Sequence, residues 1–157
     1  MSLDEITFPD VNYGEDNKQR IKDLTVWEFS PFFGCDYWEI FIFCMSYAYA
    51  KGIMADKVPG VGTLPAKAFL TPPRDLMRAL AIDYTNKNRK KNDEINPLDI
   101  IKNPKEYVKI CERYAYAGFE EIYRIIQNMD GQKTKPEDAL MDLIKEISSL
   151  RESSQSS

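Results

Sequence analysis

The chain has 157 residues, a formal net charge of −4, 43% apolar and 29% charged residues; this balance fits one globular domain and argues against a surface-wide field attracting nucleic acid, while leaving room for a local basic patch. It contains no histidine, which excludes a Ser-His-Asp or Cys-His nucleophile pair within one chain and removes the commonest general base and metal ligand. Its three cysteines, Cys35, Cys44 and Cys111, have no C-x-x-C spacing and are too few for an all-cysteine zinc site, so free thiols in a reducing cytoplasm are expected.

Residues 1–14 carry Pro9 and Gly14 among polar groups and read as an extended arm. No secretory pattern opens the chain, and its longest apolar run, 40–50, is far short of the ~20 residues that span a bilayer. A soluble cytoplasmic protein with no membrane partner is therefore expected. Ile21 and Leu24 mark a short surface helix over 15–24. In "WEFSPFFG" (27–34), Pro31 and Gly34 oppose regular structure. Its aromatics Trp27, Phe29, Phe32 and Phe33 are expected to pin the segment to the core, and they are also the candidate apolar contacts for a partner.

Asp36, with Glu39 three residues later, forms a capping-box-like helix start. The next residues, 37–45, are apolar around nearly the whole helical circumference, which predicts a central buried helix, stopped by Gly52. Residues 54–72 hold three prolines and two glycines and predict a long loop with a short extended piece at 67–70. Within it, "VPGVGTLP" (58–65) lacks both the Lys-Ser/Thr of a phosphate-binding loop and the three-glycine dinucleotide fingerprint. Thr71-Pro72 starts a helix carrying Leu76, Met77, Leu80, Ala81 and Tyr84 at helical spacing.

A polar loop follows at 85–94, with Lys87, Arg89, Lys90 and Lys91 close together. Asn96-Pro97 opens a short helical turn, and Asn103-Pro104 opens a long helix with Glu106 at its third position. The stripe Val108, Cys111, Tyr114 or Ala115, Phe119 or Gly118, Ile122 and Ile125 or Ile126 is its buried face, with Glu112 and Arg113 facing water and Gly131 ending it. Thr134-x-x-Glu137 is a second capping box, before an amphipathic helix carrying Leu140, Leu143, Ile144, Ile147 and Leu150; 151–157 read as a disordered tail. The expectation is all-α: a single compact helical domain of about five helices over 15–150, with room for a minor short β pair between 25–33 and 64–70.

Two stretches share a pattern. "CMSYAYAKG" (44–52) and "CERYAYAGF" (111–119) both contain Cys-x-x-Tyr-Ala-Tyr-Ala, but their flanks differ. They are expected to be small-residue faces of two core helices packed on each other rather than a duplicated site. The basic residues Lys87, Arg89, Lys90 and Lys91 suit phosphate contact with DNA, which positions a protein without reading sequence; the competing reading is a solvated loop diluted by Asp93 and Glu94. The carboxylates Asp83, Asp99, Glu120 and Glu121 read as helix-surface charge rather than a two-metal centre. No cofactor and no metal site is expected, and an enzyme is less expected than a non-enzymatic protein.

The long helix also carries a family resemblance. "ICERYAYAGFEEIYRII" (110–126) resembles the helix of a small-protein family encoded beside DNA phosphorothioation (dnd) genes, the dnd system-associated protein four family. Its Glu-x-Tyr-Ala-x-Ala-Gly core corresponds to Glu112, Tyr114, Ala115, Ala117 and Gly118, with Arg113 and Tyr116 in the variable slots. The order of the aromatic segment, "YAYAKG", "NPLDII" (96–101) and "EDALMDLIKEI" (137–147) is similar too, so the resemblance extends over most of 15–150. It implies an accessory protein of a DNA-modification or phage-defence system, and it brings no catalytic residues. The expected function is weak contact with DNA or with a larger protein of the same system. The alternative is a helical protein–protein interaction module or homodimer unrelated to DNA.

Overall fold

The computed structural model of the protein describes residues 7–90, 94–129, 141 and 144–145. It is all-α. Among the described residues four α-helices form the body: α1 (Asn17–Val26), α2 (Tyr37–Lys51), α3 (Thr71–Asn88) and α4 (Pro104–Gln127). Two-residue strands β1 (Val11–Asn12) and β2 (Thr63–Leu64) pair antiparallel, with Val11 opposite Leu64 and Asn12 opposite Thr63. Short 3-10 turns at Ala66–Ala68 and Pro97–Lys102 lead into α3 and α4.

Local signals place the helix boundaries. The Asp36 N–H donates to the Glu39 carboxylate at 3.0 Å in a capping box, and α2 stops at Gly52, whose φ of +77° is the left-handed conformation that glycine adopts without strain. Prolines occupy the first turns of α3 and α4, where a missing N–H costs nothing. The α4 helix ends at Gln127, before the expected stop at Gly131, which lies outside the described residues. Of the helix expected at 134–150, only Met141, Ile144 and Lys145 are described, and they are helical.

The most extensive packing is α2 along α4; α4 also touches α1, α3 and β1. The two similar stretches meet at this seam. A Cβ at Gly118 would overlap the Cys44 carbonyl oxygen, so the helix backbones approach as closely as a glycine permits. Ala48 and Ala115 are fully buried. The faces of "CMSYAYAKG" and "CERYAYAGF" are thus packed on each other, as their small residues predict. Around them Phe41, Phe69, Tyr107 and Phe119 fill the core, with Phe41 edge-on to Phe69 at 5.7 Å between ring centres.

Beyond α3 running to Asn88 where a loop is expected from 85, and a 3-10 turn at Ala66–Ala68 where an extended piece is expected at 67–70, two expectations need correction. The β pair exists, but its first strand is Val11–Asn12 and not 25–33, of which 25–26 close α1 and the rest runs through turns; of the expected 64–70 only Leu64 takes part. The reason lies in hydrogen bonding. The Gly34 N–H bonds back to the Thr25 carbonyl, and the Phe32 N–H to the Ser30 hydroxyl at 3.1 Å, so this segment satisfies its own backbone. The loop 58–64 instead meets the arm: the Tyr13 N–H donates to the Gly62 carbonyl at 2.8 Å. Second, Glu112 does not face water. It is buried against β1, and the half-buried Arg113 donates from Nε to the Ala55 carbonyl at 2.8 Å.

Candidate functional site

The basic residues sit at the C-terminal end of α3. Its last turn carries Lys87, and Arg89 and Lys90 follow, both exposed; Lys91 lies outside the described residues. Lys87 is held from two sides. Its Nζ pairs with Asp83 one turn earlier at 2.8 Å, and it lies over the Tyr49 ring, 5.2 Å from the centre and 3.3 Å from the hydroxyl. Tyr49 is itself edge-on to Tyr114 at 5.4 Å, and Tyr114 is edge-on to Tyr84 at 6.1 Å. Three tyrosines, one from each of α2, α3 and α4, therefore stand beside the basic end. The second tyrosine of the α2 motif and the first of the α4 motif meet here. Burial, then Tyr84, push the Tyr114 hydroxyl up, while Lys87 and Arg113 pull it down.

The aromatic segment before α2 divides between core and surface. Phe32 is buried and edge-on to Phe43 at 5.0 Å. Trp27 stacks on Phe29 at 5.2 Å and leans on Tyr123 at 5.4 Å, so both are half-covered. Phe33 is 50% exposed, and Val26 at the end of α1 is 56% exposed. The Gly34 N–H, next to Phe33, bonds to the Thr25 carbonyl, next to Val26.

The α2–α4 seam also holds a polar cluster. Glu121 accepts from the Tyr47 hydroxyl at 2.8 Å and pairs with Lys51 at 2.6 Å. Partial burial pushes its carboxyl up, but the Lys51 and Tyr47 bonds outweigh this and hold it below its ordinary value. Beside it an open groove of about 530 Å³ is lined by Arg20 of α1 and by Glu120, Glu121, Tyr123 and Arg124 of α4. Charges of both signs line it, and none of Lys87, Arg89 and Lys90 does. Asp83 and Asp99 pair with Lys87 and Lys102, and among the described residues no three His, Cys, Asp or Glu side chains are grouped to share a metal ion. The Cys44 and Cys111 thiols are buried and pushed well above their ordinary range by desolvation.

Glu112 is the residue that sequence reasoning missed. Its Oε2 accepts the Asn12 N–H at 2.6 Å. Burial pushes its carboxyl up to about 7, although the Asn12 N–H and Lys109 pull the other way. The Asn12 side chain then ties the arm to the glycine loop: Nδ2 donates to the Gly60 carbonyl, and Oδ1 accepts from the Gly14 and Gly62 N–H groups. A faint signal existed. Glu112 lies four residues after Val108 and three before Ala115, on the flank of the buried stripe.

No family model, curated protein or solved structure matches the chain.

Proposed function

We propose that the chain is a non-enzymatic accessory protein of a DNA-modification or phage-defence system of the phosphorothioation type, making weak DNA contact through the end of α3. The observation that carries the DNA contact is the exposure of Arg89 and Lys90 directly after Lys87, at a helix end flanked by Tyr49 and Tyr84. Cations at such a projection neutralise phosphates, and neighbouring tyrosine rings offer apolar contact to sugars and bases. The resemblance of Glu112, Tyr114, Ala115, Ala117 and Gly118 to the dnd-associated pattern supplies the system. The net charge of −4 favours contact confined to this projection, hence weak binding.

The test is DNA binding against salt concentration. Each phosphate that a variant no longer neutralises should reduce the slope of log K against log salt by ~0.9, so the Arg89→Glu/Lys90→Glu double variant should bind more weakly and with a flatter slope. Wild-type protein that shows no salt-dependent binding at low ionic strength sinks the DNA contact.

A second reading is contact with a larger protein of the same system or with a second copy, favoured by the exposure of Phe33 and Val26 on either side of the Gly34–Thr25 backbone bond. Light scattering distinguishes the homodimer: a mass that stays monomeric with rising concentration removes it. Pull-down with wild type and Phe33→Ser distinguishes the partner, since capture through this turn should disappear in the variant.

A further inference from the structure

The arm (7–14) and the glycine loop (58–64) form one flap over α4, and a single carboxylate lies beneath it. The flap is internally joined: β1 pairs with β2, the Tyr13 N–H bonds to the Gly62 carbonyl, and Asn12 makes three side-chain bonds to Gly14, Gly60 and Gly62. Its close packing leaves no space for side chains at the glycines: a Cβ at Gly62 would stand 2.6 Å from the Gly14 carbonyl oxygen. Phe8, Val11 and Tyr13 anchor the arm in the core, and Arg74 of α3 lies over the Phe8 ring at 4.3 Å. The flap's direct polar bond to α4 is the one from the Asn12 N–H to Glu112.

We propose that Glu112 is a pH-sensitive latch: protonated, it keeps the flap closed on α4, and ionised, it favours a state in which the flap lifts and water reaches the carboxylate. The physical reason is solvation. A buried carboxylate with one N–H donor is poorly compensated, whereas the neutral acid can accept the same N–H without burying a charge. Lys109, one turn earlier on α4, is the charged side chain whose field reaches Glu112, and it favours the ionised form; the Cys111 thiol adjoins. From the arm, Asp10 and Tyr13 flank Asn12, but Asp10 is engaged with the Ala66 N–H and the Tyr13 ring packs on Phe119. The loop 58–64 carries no charged side chain, and Glu15 lies against Gly60 from the start of α1. On α3, Arg74 is spent on Phe8 and on the Phe69 and Ala66 carbonyls.

Amide hydrogen exchange tests the latch, with rates corrected for the intrinsic pH effect. With a closed-state value of about 7 and a hydrated value of 4.5, the opening constant should rise by up to roughly 70-fold between about pH 5 and pH 8. The Asn12, Tyr13 and Gly62 amides should lose protection together by this factor, and at pH 8 they should exchange ahead of amides in the middle of α2 and α4. In Glu112→Gln, whose amide oxygen can still accept the Asn12 N–H, the pH dependence should vanish. Flap amides exchanging in step with those of α2 and α4 at every pH overturn the proposal, as does the same pH dependence in the Gln variant. If that variant does not fold, the wild type decides: a carboxyl carbon-13 titration of Glu112 with a midpoint near the ordinary 4.5 also overturns it.

Discussion

Gly118 sets how closely α4 can approach α2. The Cys44 carbonyl oxygen occupies the space that a Cβ would take, and this atom belongs to a helix backbone that cannot swing aside as a flexible side chain can. Gly118→Ala must therefore push the helices apart along their largest interface. Overpacking of this kind costs about 1–3 kcal/mol, and a urea midpoint lowered by that cost divided by the unchanged slope is expected; an unchanged midpoint would show that the seam relaxes freely. Glu112 acts at the same scale but through charge. Its folded value of about 7 lies above the ordinary 4.5, so the native state holds the proton more tightly than the unfolded chain does. The stability this contributes is fully present below 4.5 and is lost as pH rises through about 7. Between about pH 5 and pH 8 the stability of wild type should fall relative to Glu112→Gln by roughly 2–3 kcal/mol, measured as paired urea titrations at each pH.

At the scale of elements, the helices differ in how openly the sequence announces them. Asp36 with Glu39 and the terminal Gly52 bracket α2, and Pro104 with a regular apolar stripe marks α4, because caps and helical periodicity act within a few residues. The capping box is itself testable: Asp36→Ala should cost about 1 kcal/mol in thermal or urea unfolding, whereas Asp36→Ser should recover most of it. The β pair was legible only as a short pairing, with the wrong first strand. Two-residue strands have no alternation to read, and what selects Val11–Asn12 is the Asn12 network with Gly60 and Gly62, about fifty residues away. Glu112 was only faintly legible for a similar reason. Its position on α4 is marginal by spacing, and its burial comes from an arm one hundred residues earlier in the chain. The tyrosine trio beside Lys87 joins three helices, so the sequence showed its members as two separate motifs and a lone Tyr84.

Across the whole molecule, the three thiols report how cooperatively this body holds together. Cys44 and Cys111 are fully buried, the first at the α2–α4 seam and the second with its thiol toward the Met77 carbonyl at 3.5 Å. Burial pushes both far above the range in which a thiolate forms at neutral pH. Cys35, before the α2 capping box, is partly exposed, and its thiol is raised by burial and then by Glu39 and Asp36. A thiol reagent under native conditions should modify Cys35 first and slowly, because its thiolate is disfavoured although reachable. Cys44 should react only through openings that separate α2 from α4, and Cys111 through openings that free α4 from α3; in one cooperative body these coincide, so their two rates should match each other and fall into line with the global unfolding equilibrium in added urea. Gly118→Ala should accelerate both by the factor that its loss of stability dictates, about tenfold for each 1.4 kcal/mol, while leaving Cys35 nearly unchanged. Cys111 reacting much faster than Cys44 would mean that α4 parts from α3 without leaving α2, and that the body is two cooperative units rather than one.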